Sequence, residues 1–91
     1  MKPGRKFVEL GASSCTDAEI LSIIIGSGGR NYSALDTANE LLEKYGFLWA
    51  MMDKPLEELT QIRGIKAIRA IRIAAAFELA RRLLEQLEPE S

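Results

Sequence analysis

Arg63, Lys66, Arg69 and Arg72 recur every three residues around a single glycine, Gly64. At about 3.6 residues per turn a step of three advances roughly 300°, so the last three cations stay on one side of a helix and form one patch. The apolar positions say where that helix begins. Leu59 and Ile62 stand three apart, Gly64 interrupts, and Ile65, Ile68 and Ile71 resume the spacing. This is the pattern of two helices joined by a one-glycine turn, because the residue after a helix C-terminus adopts a left-handed backbone that glycine enters at little cost. The second helix then opens with unpaired N–H groups beside cations, an arrangement suited to phosphate. The expected chemistry is anion binding. Amides of Ile65, Lys66 and Ala67 face one phosphate, Lys66 and Arg69 neutralise its neighbours, and Arg63 and Arg72 flank them.

A second candidate is the loop from Gly26 to Tyr32, where Gly28, Gly29 and Arg30 suit a secondary phosphate contact through backbone amides and a guanidinium. It lacks the glycine-lysine-serine or threonine ending of a P-loop. Catalytic chemistry finds little support. The chain has no histidine and one cysteine, Cys15, which leaves no zinc site, no Cys-His nucleophile and no internal disulfide. Lys66 has no surroundings that would desolvate it into a nucleophile. Cys15 reads as a small, half-buried residue before the next helix. The expectation is a binding module with no catalytic residue, metal or cofactor.

Charge is unevenly placed. The net charge is −1, which argues against a general polyanion binder. Yet residues 61–82 carry Arg63, Lys66, Arg69, Arg72, Arg81 and Arg82 against Glu78, whereas residues 11–60 carry three cations against eight carboxylates. A basic end on an acidic body orients whatever docks there. No apolar run approaches the ~20 residues of a membrane span. Lys2, Arg5 and Lys6 have no signal-peptide core behind them, and the lone thiol fits a reducing compartment. A cytoplasmic location without membrane contact is expected.

The elements that must position these residues are all helical. Residues 1–15 read as a short helix closed by Gly11 or as an extended cationic arm. Thr16 and Glu19 form a capping box ahead of a helix running to about Ile25, apolar enough to be the buried centre. Ser33 caps a second helix to Tyr45, with Gly46 after it. Phe47 to Met52 reads as a short apolar helix that plugs the core. Pro55 begins a helix through Leu56 and Leu59 to Gln61. The last runs from Lys66 or Ala67 to about Leu87, with Ile68, Ile71, Ala75, Leu79 and Leu83 expected to face inward and Pro89 closing it. This is an all-α, five-helix domain over residues 16–87 with a tail at 88–91. Its two helical hairpins form a tandem, of which the second, at 55–87, is the better pattern.

Taken in order, Glu9-Leu10-Gly11, Thr16-Asp17-Ala18-Glu19-Ile20-Leu21, Gly26-Ser27-Gly28, Ala38-Asn39-Glu40-Leu41-Leu42, Leu56-Glu57-Glu58-Leu59, Gly64-Ile65 with Ala67 and Ala70, and Glu78-Leu79-Ala80-Arg81-Arg82 resemble the N-terminal domain of RadC-like proteins. The match covers nearly the whole chain. It implies a tandem helix-hairpin-helix domain similar to the second domain of the Holliday-junction protein RuvA, a SAM-like bundle. In that family the domain normally precedes a JAMM/MPN metalloprotease-like domain, and the family's historical link is to DNA repair. Two departures stand out. Lys66 occupies the position where the family's Gly-Ile-Gly hairpin has its second glycine, which either obstructs the carbonyl site where such hairpins can hold a monovalent cation or supplies a positive charge in place of that cation. The His-x-His zinc ligands of a JAMM domain have no counterpart in a sequence without histidine.

The function expected from these residues is sequence-independent contact with a DNA backbone, duplex or branched, because no side chain near Gly64 offers bidentate reading of base edges. The alternative is a docking or regulatory module for a JAMM/MPN domain, held by apolar anchors such as Trp49 or Phe47, with the basic patch only a solvated face.

Overall fold

The computed structural model describes residues 1–26 and 32–88. Five α-helices follow in order: α1 (Pro3–Leu10), α2 (Asp17–Ile25), α3 (Ala34–Tyr45), α4 (Leu56–Leu59) and α5 (Ala67–Leu87). Single 3-10 turns at Ala12–Ser14 and Leu48–Met51 complete them. There is no β-strand element among the described residues, and the chain is all-α.

Local chemistry explains the starts of α2 and α3. Thr16 accepts from the Glu19 amide while the Glu19 carboxylate accepts from the Thr16 amide, and Ser33 and Asp36 repeat the reciprocal pair. Each box satisfies amides that the first helical turn leaves unpaired, typically about 1 kcal/mol per cap. The ambiguous N-terminus is a helix. Pro3 sits in the first turn of α1, where its missing N–H costs nothing, and Lys6 ties the helix to α2 through Glu19 at 2.9 Å.

The core lies where α2, α3 and α5 meet. Ile25, Leu41 and Ile73 are fully buried, with Leu21, Ala38, Met51, Leu59, Ile65 and Ala70 beside them. Burying each large aliphatic side chain contributes about 1.5–3 kcal/mol, so this cluster sets the packing of the three helices. As expected, α2 is central: it packs on α1, α3 and α5.

Three expectations need correction. First, α5 turns the other way. Its inward side is Ala70 and Ile73, with Ala74 and Phe77 packed against the core, whereas Ile68, Ile71, Ala75, Leu79 and Leu83 are exposed. Both sets recur at helical spacing, and Ile68 and Ile73 are about 140° apart round the axis. Alanine and one phenylalanine, smaller or flatter than the branched set, let α5 approach α2 closely. Second, Phe47–Met52 is no plug. Only Met51 enters the core, while Phe47 is 64% and Trp49 71% exposed, their rings stacked at 6.0 Å. A 3-10 turn of four residues can point one side chain inward, and the rest stay outside. Third, α4 is a single turn, with Pro55 as its N-cap and Leu59 as its last helical residue.

Candidate nucleic-acid interface

The turn between α4 and α5 lies at the start of α5. Between α4 and α5 the chain passes through Gly64 at φ +89°, with the Ile65 amide donating to the Ile62 carbonyl at 3.0 Å. Glycine is required here twice over. The left-handed φ strains any side chain, and a Cβ would lie 2.5 Å from the Thr37 hydroxyl oxygen. Thr37, buried in α3, donates that hydroxyl to the Arg63 carbonyl at 3.3 Å. The turn is thereby tied to the first helix pair.

Lys66 is the N-cap of α5, and no side chain caps the first turn. The contrast with the boxes at Thr16 and Ser33 follows from residue type, since lysine has no acceptor to offer. Of the three amides expected to face a phosphate, that of Ile65 is taken inside the turn. Those of Lys66 and Ala67 have no acceptor among the described residues.

The cations sit around these amides in different ways. Lys66 is exposed, and Arg69 curls back so that its Nη1 donates to the Gly64 carbonyl at 2.7 Å. Gly64, Lys66, Ala67, Ile68, Arg69 and Arg72 together line one shallow depression. Arg72 reaches across to the other helix pair, where its Nη1 lies 3.0 Å from the position a Cβ on Gly26 would occupy. Arg63 is set apart, its guanidinium 4.2 Å from the centre of the Tyr32 ring. The nearby Glu40 carboxylate first, and then burial, push the Tyr32 hydroxyl up to about 12 against the opposing pull of Arg63. It stays a neutral ring on which the guanidinium can lie.

Lys66, Arg69 and Arg72 are therefore brought together around one depression, with Arg63 apart on the Tyr32 ring. Gly28, Gly29 and Arg30 lie outside the described residues. Two contributors were not singled out from the sequence: Thr37, an ordinary polar residue within a helix, and Tyr32, which only its position before the Ser33 cap brings near Arg63. No group of three potential metal ligands is present among the described residues, and no helix there is long and apolar enough to cross a membrane.

Comparison with known proteins gives a consistent result. The profile described as UPF0758 N-terminal matches residues 1–71. A UPF0758 protein of Xanthomonas axonopodis pv. citri is 41% identical over 88 residues, 96% of this chain and 39% of the relative. One from Syntrophomonas wolfei is 38% identical over 89 residues, 97% of this chain and 38% of its own length. The chain thus spans about two fifths of the curated relatives it matches. No solved structure matches it. With the family profile covering most of the chain and these relatives covering nearly all of it, the chain belongs to UPF0758, the RadC-like family.

Proposed function

We propose that this chain is a DNA-binding module that grips the phosphate backbone without reading sequence. One observation carries the reading. Among the described residues no carboxylate lies within ion-pair distance of Arg63, Lys66, Arg69 or Arg72, and Lys66 and Arg69 flank the start of α5, which no side chain caps. Other cations of the chain, Arg5, Lys6, Arg81 and Arg82, are held in ion pairs. Cations without carboxylate partners beside free amides supply both features that phosphate takes at a helix N-terminus. On this reading α2 with α3 and α4 with α5 form a tandem helix-hairpin-helix unit similar to the second domain of RuvA. Arg72, between Gly26 and Gly64, would let both turns follow neighbouring stretches of backbone. The module binds rather than catalyses, and works in the cytoplasm.

With one well-formed turn the affinity is that of non-specific binding, roughly 10⁻⁴ to 10⁻⁶ M at physiological salt. Fluorescence anisotropy with labelled duplex, single-stranded and four-way-junction DNA tests it directly. Binding to duplex or junction, weakening as salt rises, is the expected result. No binding to any of the three at about 50 mM salt, where the electrostatic term is strongest, overturns the reading.

The exposed, stacked Phe47 and Trp49 favour a second reading, in which the module docks a JAMM/MPN-type domain. Loss of association with a RadC-like catalytic domain in a folded Trp49→Ala variant, together with unchanged DNA binding in Lys66→Ala and Arg69→Ala, would replace the first reading by this one.

A further inference from the structure

The outer side of α5 exposes Ile68, Ile71, Leu79 and Leu83 beside its polar residues, more apolar surface than a helix facing water ordinarily carries. Leu79 and Leu83 are 69% and 57% exposed. About 60° further round the axis come Ala76 and Ala80, three residues before each leucine. The two alanines form one side of a groove whose other side is Ile20 and Ile24 of α2, and its only charged lining residue is Asp17. At about 210 Å³ the groove is smaller than the roughly 300–1,000 Å³ of small-molecule sites. It suits side chains from a packed protein segment. Short alanine side chains let such a segment come close, and Leu79 and Leu83 stand exposed beside it on the same helix.

The relatives supply a candidate occupant. The Xanthomonas axonopodis protein carries the matched stretch as 39% of its length, and the matching family is described as N-terminal, so about three fifths of that protein lies largely beyond it. The chain that follows leaves from the end of α5, one to two turns from Leu79 and Leu83. Tethered there, it meets the groove at an effective concentration in the millimolar range for a short linker. A modest apolar contact is then enough. In the last turns of α5 Arg81 bonds both Glu78 and Glu85, and Arg82 bonds Glu78, pairs that add to the stability of the helix between the groove and the point of departure. We propose that the groove between α2 and α5, with Leu79 and Leu83, seats an apolar segment from the C-terminal part of UPF0758 proteins. The proposal is independent of the DNA reading, since none of these residues lines the depression at Gly64.

The test compares the 91-residue chain with a chimera in which residues 1–88 replace the matched stretch of the Xanthomonas axonopodis protein. Amide hydrogen exchange over residues 76–84 should slow by about tenfold or more in the chimera. Leu79→Asp with Leu83→Asp should remove that protection while leaving the helical circular dichroism in place. Equal exchange in chain and chimera overturns the proposal. So does a 91-residue chain that is itself a dimer in light scattering and becomes a monomer with the two substitutions, because the occupant is then a second copy. Should the chimera not fold, the same pair of changes at the aligned positions of the intact relative is read by proteolysis after α5. Faster cutting supports the proposal, and an unchanged rate overturns it.

Discussion

The two ends of α5 carry the same residue types in opposite states. At the C-terminal end Arg81 bonds Glu78 and Glu85, and Arg82 bonds Glu78 at 2.8 Å. The Glu78 carboxyl is held down to about 2, first by Arg81 and then by Arg82. These arginines are spoken for. At the N-terminal end Arg69 reaches a backbone carbonyl, Arg63 a tyrosine ring and Lys66 only solvent. A dipole that favours anions points out of that same end. Counting charges over residues 61–82 treats all six cations alike, yet only four are free of carboxylates. On the proposed reading, phosphate would be met by the cations without carboxylate partners and not by a local excess of charge.

The largest effect should come from the turn that organises the free end. Gly64→Val places a β-branched side chain at positive φ and against Thr37, adding strain of about 1–3 kcal/mol to overpacking of similar size. We expect a loss of about 3 kcal/mol or more in urea unfolding, together with loss of DNA binding. Gly11→Val is the control, because that position has positive φ but nothing within 4 Å of a new Cβ. Its cost should be the strain alone. Equal losses in the two variants would show that Thr37 does not constrain the turn.

Next in size is the binding difference between the two ends. Lys66→Ala and Arg69→Ala should each flatten the plot of log K against log salt by about 0.9 for every phosphate that is no longer neutralised. The slope is the better measure for Arg69, whose bond to the Gly64 carbonyl also supports the turn. Arg81→Ala and Arg82→Ala should leave the slope unchanged. If all four substitutions act alike, free and paired cations do not differ in their use of phosphate.

The smallest effect is the response to acid. A carboxyl whose folded value lies below its ordinary 4.5 contributes stability above that value and loses it as the pH falls towards 2. Glu78 does so at the end of α5. Glu19, lowered first by the Thr16 amide and then by Lys6, does so at the start of α2. Glu78→Gln should therefore flatten the fall in Tm between about pH 4.5 and 2 by a small amount, since exposed pairs contribute little. It should leave DNA binding at neutral pH unaltered. A change in neutral-pH binding would couple the two ends.

Helix starts were legible wherever a residue carries its own cap. Thr16 with Glu19 and Ser33 both announce an N-terminus through bonds that reach three residues and need no distant partner. Gly64 was legible for the same reason, as a turn residue between two apolar spacings. The facing of α5 was not. Its apolar residues surround the axis, so local periodicity offered two candidate inward sides, and the choice fell to which one α2 and α3 could approach. Phe47 and Trp49 misled similarly, because aromatic content says that burial is favourable without saying that the backbone geometry permits it.

Composition and spacing by themselves determined an all-helical chain, its capped starts, the glycine turn and the clustering of Arg63, Lys66, Arg69 and Arg72. These depend on interactions within a turn or two of helix. Tertiary structure alone decided that Thr37 supports the Gly64 turn, that Arg72 reaches Gly26 and that Arg63 rests on Tyr32. It also left Leu79 and Leu83 facing outward. Each reflects whether two segments separated in the chain come together or stay apart. Such meetings are set by the burial of Ile25, Leu41 and Ile73 in one shared core, which no local pattern specifies.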